Sequence, residues 1–298
     1  MTRLLTVIPA RRLLRISALI SLAVCFNAMR TGAQEPPYFI TYSHHLEEPG
    51  NLEIEANSSF ATQNPGNNYI APWVEFEYGV KTWWTSEFYL DSQSTFNDST
   101  AFTGVRFENR FRPLMTEHWI NPVLYVEYED ITGADKAMID VVGADAQSDY
   151  AVPNAEAQRE KLHEVETKLI LSGDPKGWNY SLNYIGEENL AHAPWEFGYA
   201  LGLSRPLRLA VTPEPCNFCR ENFLMGIEMY GGLGTASAFS LSRTSHYLAA
   251  IGAWQLPSGA TFRVSPGFGL NGNSHTFVLR WSVSYEIEGF GRKLRNLF

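Results

Sequence analysis

Cysteine is scarce in this chain of 298 residues, with three at positions 25, 216 and 219. Three cysteines cannot build the multi-bridge framework that stabilises a small secreted domain. Charged side chains are also few, at 18%, against 45% hydrophobic residues. This composition excludes a disordered or coiled-coil chain, and the length allows one large β-domain or two ordinary domains.

Basic residues become rarer after the first 33 positions. Five of the 23 Lys and Arg residues precede Gln34, where no acid occurs, which leaves 18 basic against 32 acidic residues and a charge of −14 in the rest of the chain. An acidic balance of this size disfavours a protein that binds nucleic acid. We therefore expect no nucleic-acid partner.

The N-terminal residues have the organisation of an export signal. Arg3 and a basic cluster at 11–15 precede an apolar run at 16–29, and small residues follow at 31–33. The apolar run is too short to span a bilayer comfortably, whereas a charged segment, a short apolar stretch and a small-residue cleavage site are what export requires. We predict that residues 1–33 are a signal peptide that is removed.

Cleavage after Ala33 would leave residues 34–298 as a single domain. Two alternatives remain open for the N-terminus. One is an uncleaved anchor helix, and the other is lipidation of Cys25, although Val24 stands where a lipoprotein signal requires a small residue.

The two remaining cysteines, Cys216 and Cys219, lie in a proline-rich stretch. Covalent haem attachment is unsupported because Arg220, not histidine, follows the pair, and no second pair completes a zinc site. In an oxidising compartment the pattern favours a local disulfide that pins a loop, over a redox role. We predict a Cys216–Cys219 disulfide and no cofactor.

Side-chain polarity alternates with a period of two through most of the chain after Gln34, which is typical of β-strands. Between Phe277 and Ile287, every odd position is apolar, and the even positions are mostly polar. We count about twelve such segments of roughly 8 to 12 residues, the length that crosses a bilayer at a tilt. No run of 18 apolar residues occurs after Gln34.

A backbone inside hydrocarbon must satisfy its own hydrogen bonds, so a membrane β-protein must close on itself. We therefore predict an all-β fold, a closed antiparallel up-and-down transmembrane β-barrel of about 12 strands. A secreted β-sandwich would also alternate, but its apolar faces would meet in a core. Strand length, the even strand count and the many polar residues of the opposite face disfavour that alternative.

The connections between strands alternate in length, as expected for tight periplasmic turns and longer outer loops. The predicted turns lie at 79–82, 113–117, 173–177 and 256–259. The predicted loops lie at 93–99, 130–160 and 232–245. Two connections fit less well, since 205–222 is long for a turn and 270–274 is short for a loop. Residues 154–166 are also compatible with partly helical structure.

Tryptophans are grouped at the predicted strand ends, as in the aromatic girdles of membrane barrels. Five of them fall at one predicted rim: Trp83, Trp84, Trp119, Trp178 and Trp254. Trp73 and Trp195 fall at the opposite predicted rim, and Trp281 lies inside its strand. This grouping favours the membrane interpretation over a general preference of tryptophan for strands.

The segment 247–285 contains the stretches 252–260, Gly-Ala-Trp-Gln-Leu-Pro-Ser-Gly-Ala, and 267–274, Gly-Phe-Gly-Leu-Asn-Gly-Asn-Ser. Its strand-turn rhythm resembles the closing hairpins of the outer-membrane transporter family associated with the MetA pathway of phenol degradation. The resemblance implies an exported barrel that passes small organic solutes. Outer-membrane barrels also tend to end on an aromatic residue recognised by the assembly machinery, and Phe298 or Phe290 meets that requirement.

The row of residues predicted to face the interior is rich in acids and contains fewer bases. We predict that nine of its charged residues line the lumen: Glu75, Glu77, Glu87, Arg106, Arg110, Glu127, Glu166, Arg263 and Arg280. A lumen of this size is narrow. Its charges would either pair into a network that fills the lumen or line a constriction that selects solutes by charge.

We also searched for an enzyme site, a hydroxyl nucleophile beside a base at a rim. Ser245-His246 and Ser274-His275 both fall at the predicted outer rim. Adjacent strand residues point to opposite faces, so neither dipeptide is itself a dyad, although a cross-strand pair such as Ser245 with His275 is conceivable. No acid is evident to orient either imidazole, and we predict no catalytic residue.

His44-His45 lies near the predicted mature N-terminus. Its position favours a polar tail over a pair of metal ligands, and we predict no metal. Together these features predict a bacterial outer-membrane channel or transporter for small solutes, exported by a cleaved signal peptide. Its expected partners are outer-membrane lipid, the barrel-assembly machinery and a small-molecule solute. A lipid-modifying enzyme and a non-conducting structural or partner-binding barrel remain the alternatives.

Overall fold

The computed structural model describes residues 36–62, 66–137, 142–143, 150–190, 194–210, 212 and 216–296. These residues belong to one compact unit, Pro36–Phe298. The predicted signal peptide at 1–33 and the terminal Phe298 lie outside the described residues.

Twelve long antiparallel strands form a closed barrel, as predicted. The strands are β1 Leu52–Thr62, β2 Tyr69–Lys81, β3 Trp84–Thr95, β4 Thr100–Phe111, β5 Asn121–Thr132, β6 Lys161–Gly173, β7 Asn179–Asn189, β8 Glu196–Pro206, β9 Phe223–Thr235, β11 His246–Gln255, β12 Ala260–Gly269 and β13 Phe277–Ile287, with a two-residue strand β10 Ala238–Phe239 that pairs only with β9. Each long strand pairs with its neighbours along the chain, and β13 pairs with β1 to close the ring.

Helical structure is limited to short pieces. Helices α1 Asn154–Ala157 and α2 Phe290–Arg295 and single 3-10 turns at Pro175–Gly177 and Arg220–Asn222 lie in the described residues, and residues 150–151 are also helical. The helical possibility at 154–166 therefore holds only for its first turn. None of the helices in the described part of the chain is long and apolar enough to span a membrane.

The final strand ends at Ile287, as the alternation predicts. Phe290 does not end that strand. It is instead the first residue of α2, because Gly289 adopts a left-handed conformation (φ +63°) that turns the chain out of the strand direction.

Apolar side chains face outward along the long strands, and the inward rows are mostly polar, except on β11, where Tyr247, Ala249 and Ile251 face inward and are buried. On β13, the outward Trp281, Val283 and Tyr285 are exposed, whereas the inward Arg280 and Ser282 are buried. The same holds on β5, where Leu124 is 52% exposed and Glu127 is 1% exposed. A soluble sandwich would bury its apolar rows and expose its acids. The predicted direction of the two faces is therefore confirmed on the long strands other than β11.

The connections lie at two ends of the barrel, which we call the near end, where β1 begins, and the far end, where β1 ends. The predicted turns lie at the near end, together with the long connection between β8 and β9, and the predicted loops lie at the far end. The grouping of short and long connections is thus confirmed.

Tryptophan placement agrees with the prediction except at one position. The five grouped tryptophans lie at the near end, where Trp83 and Trp84 stack on each other and Trp254 stacks on Phe218. Trp73, however, belongs to the inward face of β2, opposite Asn57 of β1. Its assignment to an outer girdle was wrong because its alternation with Glu75 places it inside.

The outward face generates a testable prediction at Val264, which is exposed at the middle of β12 and opposite Trp281. Val264→Arg should lower the free energy of unfolding by about 2–4 kcal/mol in lipid vesicles, because a charge at the bilayer midplane is costly. Urea unfolding of the reconstituted protein measures this loss. The control Ala155→Arg, at an exposed position of α1, should change stability by less than about 0.5 kcal/mol. Equal effects of the two variants would contradict a lipid-facing surface.

Candidate functional site: the filled lumen

The barrel interior is occupied by the chain that precedes β1. We call Pro36–Gly50 the inner segment; it forms no strand or helix, and it contacts inward side chains of the wall from both β7 and β9. Its residues Tyr38 and His44 are almost completely buried. This occupancy was not predicted from the sequence.

Glu228 on β9 holds the middle of the inner segment. Its carboxylate accepts hydrogen bonds from three consecutive backbone N–H groups, those of Phe39 (3.0 Å), Ile40 (2.9 Å) and Thr41 (2.7 Å). Hydrogen bonds to a charged acceptor are about twice as strong as neutral ones. The carboxylate is almost fully buried, so these amides also satisfy a charge that water cannot reach.

Two further polar contacts fix the direction of the inner segment. Asn183 on β7 accepts from the Tyr42 N–H (2.6 Å) and donates to the Tyr42 carbonyl (2.9 Å), as a paired strand residue would. Arg263 on β12 donates to the Tyr38 carbonyl (3.1 Å). The inner segment is therefore bound to β7, β9 and β12 mainly through its backbone.

The wall itself makes room for the inner segment at Gly202 on β8. A Cβ atom there would lie 2.6 Å from the ring of Tyr38, closer than non-bonded carbon atoms approach. Only glycine at this inward position allows the Tyr38 ring to lie against the strand and its hydroxyl to reach Asn179 (2.8 Å).

A belt of ion pairs surrounds the inner segment. Arg110 pairs with Glu77, Glu87 and Glu108, and Arg106 pairs with Asp91 (2.9 Å) and Glu127 (2.9 Å). Lys168 pairs with Glu166 (2.7 Å), and Arg263 pairs with Glu55. Burial on this scale is tolerated only because each of these cations has an acidic partner, and Arg106 and Arg110 have more than one.

Acids outnumber bases on this wall. The buried carboxylates of the described strands are Glu55, Glu77, Glu87, Asp91, Glu108, Glu127, Glu129, Glu166 and Glu228. The buried cations of the same strands are Arg106, Arg110 and Arg280, with Lys168 and Arg263 half-buried. The interior is therefore acidic around the inner segment.

All nine residues predicted to line the lumen belong to inward rows. Eight of them lie in or beside the belt of ion pairs. Arg280 is separate, because it donates to the Tyr230 hydroxyl in the far half of the barrel. Their contact with a solute stays a prediction.

The far half of the barrel is filled by apolar side chains and by a second piece of chain. Tyr230, Tyr247 and Val278 form a buried cluster with their neighbours, and Ile40 of the inner segment packs against it. The connection between β5 and β6 turns inward over 133–137 and 142–143, which we call the inner loop. Both pieces lie across the path through the barrel.

Wall side chains hold the inner loop in place. The Thr103 hydroxyl donates to Asp135 (2.5 Å), and the Tyr69 hydroxyl donates to the Lys136 carbonyl (3.1 Å). Burial raises the pKa of Asp135 to about 7. A Cβ at Gly232 would lie 2.3 Å from the Gly143 carbonyl oxygen, so glycine on β9 allows the loop to approach.

His44 and His45 lie at the near end, and the interpretation of this pair as a polar tail was wrong. His44 is fully buried, and its Nε2 lies 3.0 Å from Oε2 of Glu117 and 3.5 Å from Oδ2 of Asp174. His45 Nε2 lies 2.7 Å from the same Asp174 oxygen. Burial, with a smaller effect from His45, lowers the pKa of His44 to about 4.

The serine hydroxyls considered for catalysis bond to other partners. Ser245 donates to the Asn273 carbonyl (3.1 Å), and Ser274 lies 2.8 Å from the His246 carbonyl. His275 is buried beside the Tyr69 hydroxyl (3.2 Å). The geometry therefore gives a serine-histidine mechanism no support.

The near end also carries the cysteine loop between β8 and β9. A disulfide joins Cys216 and Cys219, whose Cα atoms are 5.6 Å apart. Phe218 between them stacks on Trp254, whose indole N–H donates to the Asn217 carbonyl (2.7 Å). The described residues 216–219 of this loop are thus packed against the outer aromatic surface of β11.

The sequence matches no family profile and no curated protein. Among solved structures, an outer-membrane channel from Pseudomonas putida F1 is similar with a TM-score of 0.52 and 10% identity, covering 85% of this chain and 100% of that chain. NanC porin has a TM-score of 0.48 and 9% identity, covering 79% of this chain and 100% of that chain. KdgM porin has a TM-score of 0.44 and 7% identity, covering 78% of this chain and 98% of that chain. At 10% identity the similarity to the Pseudomonas putida channel supports the fold alone.

The ion-pair belt predicts a large effect of removing its central cation. Arg110→Met should lower the free energy of unfolding by about 3–5 kcal/mol, because it leaves Glu77, Glu87 and Glu108 buried without their shared partner. The temperature at which the barrel unfolds on gels reports the loss. Arg292→Met, on exposed α2, is the control and should leave that temperature unchanged. A wild-type unfolding temperature in Arg110→Met would refute the predicted role of the belt.

Proposed function

We propose that this protein is an outer-membrane channel for small solutes whose lumen is closed by its own inner segment and opens when that segment is released. The observation that carries the proposal is the binding of the inner segment inside a closed, polar-walled barrel through backbone hydrogen bonds to Glu228 and Asn183. The predicted signal peptide at 1–33 and recognition by the barrel-assembly machinery are part of the same proposal.

The outer surface supports a membrane location. Large apolar side chains are exposed along the strands, and tryptophans surround the near end. An exposed apolar surface of this extent is unfavourable in water and favourable in lipid, and a closed barrel leaves no unpaired backbone to hydrocarbon. We infer that the near end faces the periplasm, because it carries the tight turns.

The type of contact supports a removable closure. A hydrogen bond between protein groups contributes only about 0.5–1.5 kcal/mol net, because water replaces it when the groups separate. The polar wall behind the inner segment is a surface that water can solvate once the segment leaves. The inner segment also buries apolar side chains: Ile40 packs against the cluster of Tyr230, Tyr247 and Val278, and Tyr42 and Leu46 pack against a second wall cluster. Its backbone hydrogen bonds are the contacts that water can replace.

The acid excess of the wall supports selectivity by charge. Rings of carboxylates favour cations in channels. The resemblance to outer-membrane transporters implies small organic solutes, and the similar fold of the Pseudomonas putida channel agrees with a transport role. We therefore propose small organic or inorganic cations as the preferred class.

Release of the inner segment is tested by Glu228→Gln. The neutral amide cannot accept from all three N–H groups, so at least one charge-assisted hydrogen bond worth about 1.5 kcal/mol is lost, and the open probability should rise about tenfold. Single-channel recording in planar bilayers measures it. The buried cluster of Tyr230, Tyr247 and Val278 closes the same path in series. The open probability of the variant is therefore compared with that of wild type as a ratio.

Asp91→Asn is the matched control for this experiment. Asp91 is an equally buried wall carboxylate that pairs with Arg106 instead of the inner segment. It should leave the open probability within about twofold of wild type, since the hydrogen bonds of the inner segment are unchanged. Absence of conductance in wild type, Glu228→Gln and Asp91→Asn alike would refute the channel.

Selectivity is tested separately by the reversal potential in a salt gradient. The open channel should prefer K⁺ over Cl⁻, because the wall retains an excess of carboxylates when the inner segment leaves. Combining Glu228→Gln with Glu166→Gln should shift the reversal potential toward zero. Anion preference in the wild-type channel would contradict the assignment of the solute class.

A further inference from the structure

We propose that His44, His45 and Asp174 form a zinc site at the near end that ties the inner segment to the barrel wall. The site itself follows from the geometry of these residues. Its role in keeping the lumen closed rests on the function proposed above.

The three side chains converge on one point although two of them are adjacent in sequence. Successive side chains of an extended chain point to opposite sides. Here the rings of His44 and His45 have centroids only 4.4 Å apart, and Nε2 of each ring points toward Oδ2 of Asp174. The three ligand atoms lie within 4.8 Å of one another.

These separations are close to those of a tetrahedral zinc site. Zinc binds imidazole nitrogen and carboxylate oxygen at about 2.0–2.2 Å, which places neighbouring ligand atoms about 3.3 Å apart. The observed distances from Asp174 Oδ2 are 3.5 Å to His44 Nε2 and 2.7 Å to His45 Nε2. Movement of well under 1 Å by the partly buried His45 would admit the ion.

Two of the three ligands, His44 and Asp174, are oriented by a second contact. Ser172 Oγ bonds to Nδ1 of His44, and the Asn179 amide donates to Oδ1 of Asp174 (2.6 Å). These contacts leave His44 Nε2 and Asp174 Oδ2 directed at the shared point. Such outer contacts are a regular feature of zinc sites, where they fix ring orientation and ligand direction.

The fourth coordination position faces Glu117. Its Oε2 lies 3.0 Å from His44 Nε2, while its Oε1 accepts from Arg112 (2.6 Å). The Glu117 side chain is exposed, so it offers both a ligand and a path of entry from the near-end solution. Two imidazoles with carboxylates suit Zn²⁺ better than Ca²⁺ or Mg²⁺, which prefer oxygen ligands alone.

A metal at this position would join three separate pieces of chain. His44 and His45 belong to the inner segment, whereas Asp174 lies in the β6–β7 turn and Glu117 lies in the β4–β5 turn. The ion would bind only when all three pieces of chain are together. It would therefore stabilise the closed arrangement by mass action. Withdrawal of the inner segment would first require loss of the metal.

Zinc binding is measured by calorimetric titration of the detergent-purified, chelator-treated protein with Zn²⁺ alone. We expect one equivalent per chain. His45→Ala and Asp174→Asn, both at incompletely buried positions, should each weaken binding by more than about 100-fold, and Ser172→Ala by about 10–100-fold. A shift of the unboiled protein on gels verifies that each variant is folded.

His118→Ala is the matched control, because His118 is an exposed histidine of the same β4–β5 turn that bonds to the Thr116 carbonyl. It should bind Zn²⁺ as wild type does. Wild-type protein that binds no Zn²⁺, or a folded His45→Ala/Asp174→Asn variant that binds it as tightly as wild type, would overturn the site.

Hydrogen exchange of residues 38–47 tests the tie to the wall. Zn²⁺ should slow exchange in wild type and leave it unchanged in Asp174→Asn. Unchanged hydrogen exchange in zinc-loaded wild type would refute the attachment of the inner segment to the wall by the metal, but not the zinc site itself. Neither measurement uses conductance, so a barrel that does not conduct can still bind zinc, and a conducting barrel can fail both tests.

Discussion

Closure of the sheet between β1 and β13 is the constraint on which the rest of this structure depends. Once every long strand has two hydrogen-bonded neighbours, the backbone is satisfied without water, and each strand has one face outside and one face inside. The outside can then be apolar without a second layer to cover it. The inside becomes an enclosed space in which the polar side chains of the inward rows must find their hydrogen-bond and charge partners among one another.

The filling of the lumen follows from that enclosure. Nine buried carboxylates face too few wall cations, and an unpaired buried carboxylate is costly. Arg106 and Arg110 each satisfy several acids, but Glu228 lies beyond that belt and is satisfied by the amides of Phe39, Ile40 and Thr41 instead. The inner segment therefore serves as a set of hydrogen-bond donors for the wall as well as a closure of the path.

The barrel could be predicted from the sequence because a β-strand shows a local pattern, the alternation of polar and apolar side chains. Alternation between 277 and 287 alone identifies β13 with both of its ends, and the inward direction of Arg106 or Glu127 follows from the same period. The inner segment has no such period, and its partners are distant. Phe39 and Glu228 are 189 residues apart, so no local pattern joins them. Inward glycines such as Gly202 were the available hint of a close approach, since a strand interior rarely benefits from glycine.

The two closures of the lumen differ in chemistry, and this difference determines how each responds. The inner segment is held at the near half by backbone hydrogen bonds, by the histidine cluster and by the packing of Tyr42 and Leu46, so water and metal ions can compete for its polar contacts. The far half is closed by Tyr230, Tyr247 and Val278 around the inner loop, and separating apolar side chains brings no compensating bonds to water. Because both lie on one path, the near half is suited to regulate opening, whereas the far half sets the resistance that remains after the inner segment has moved.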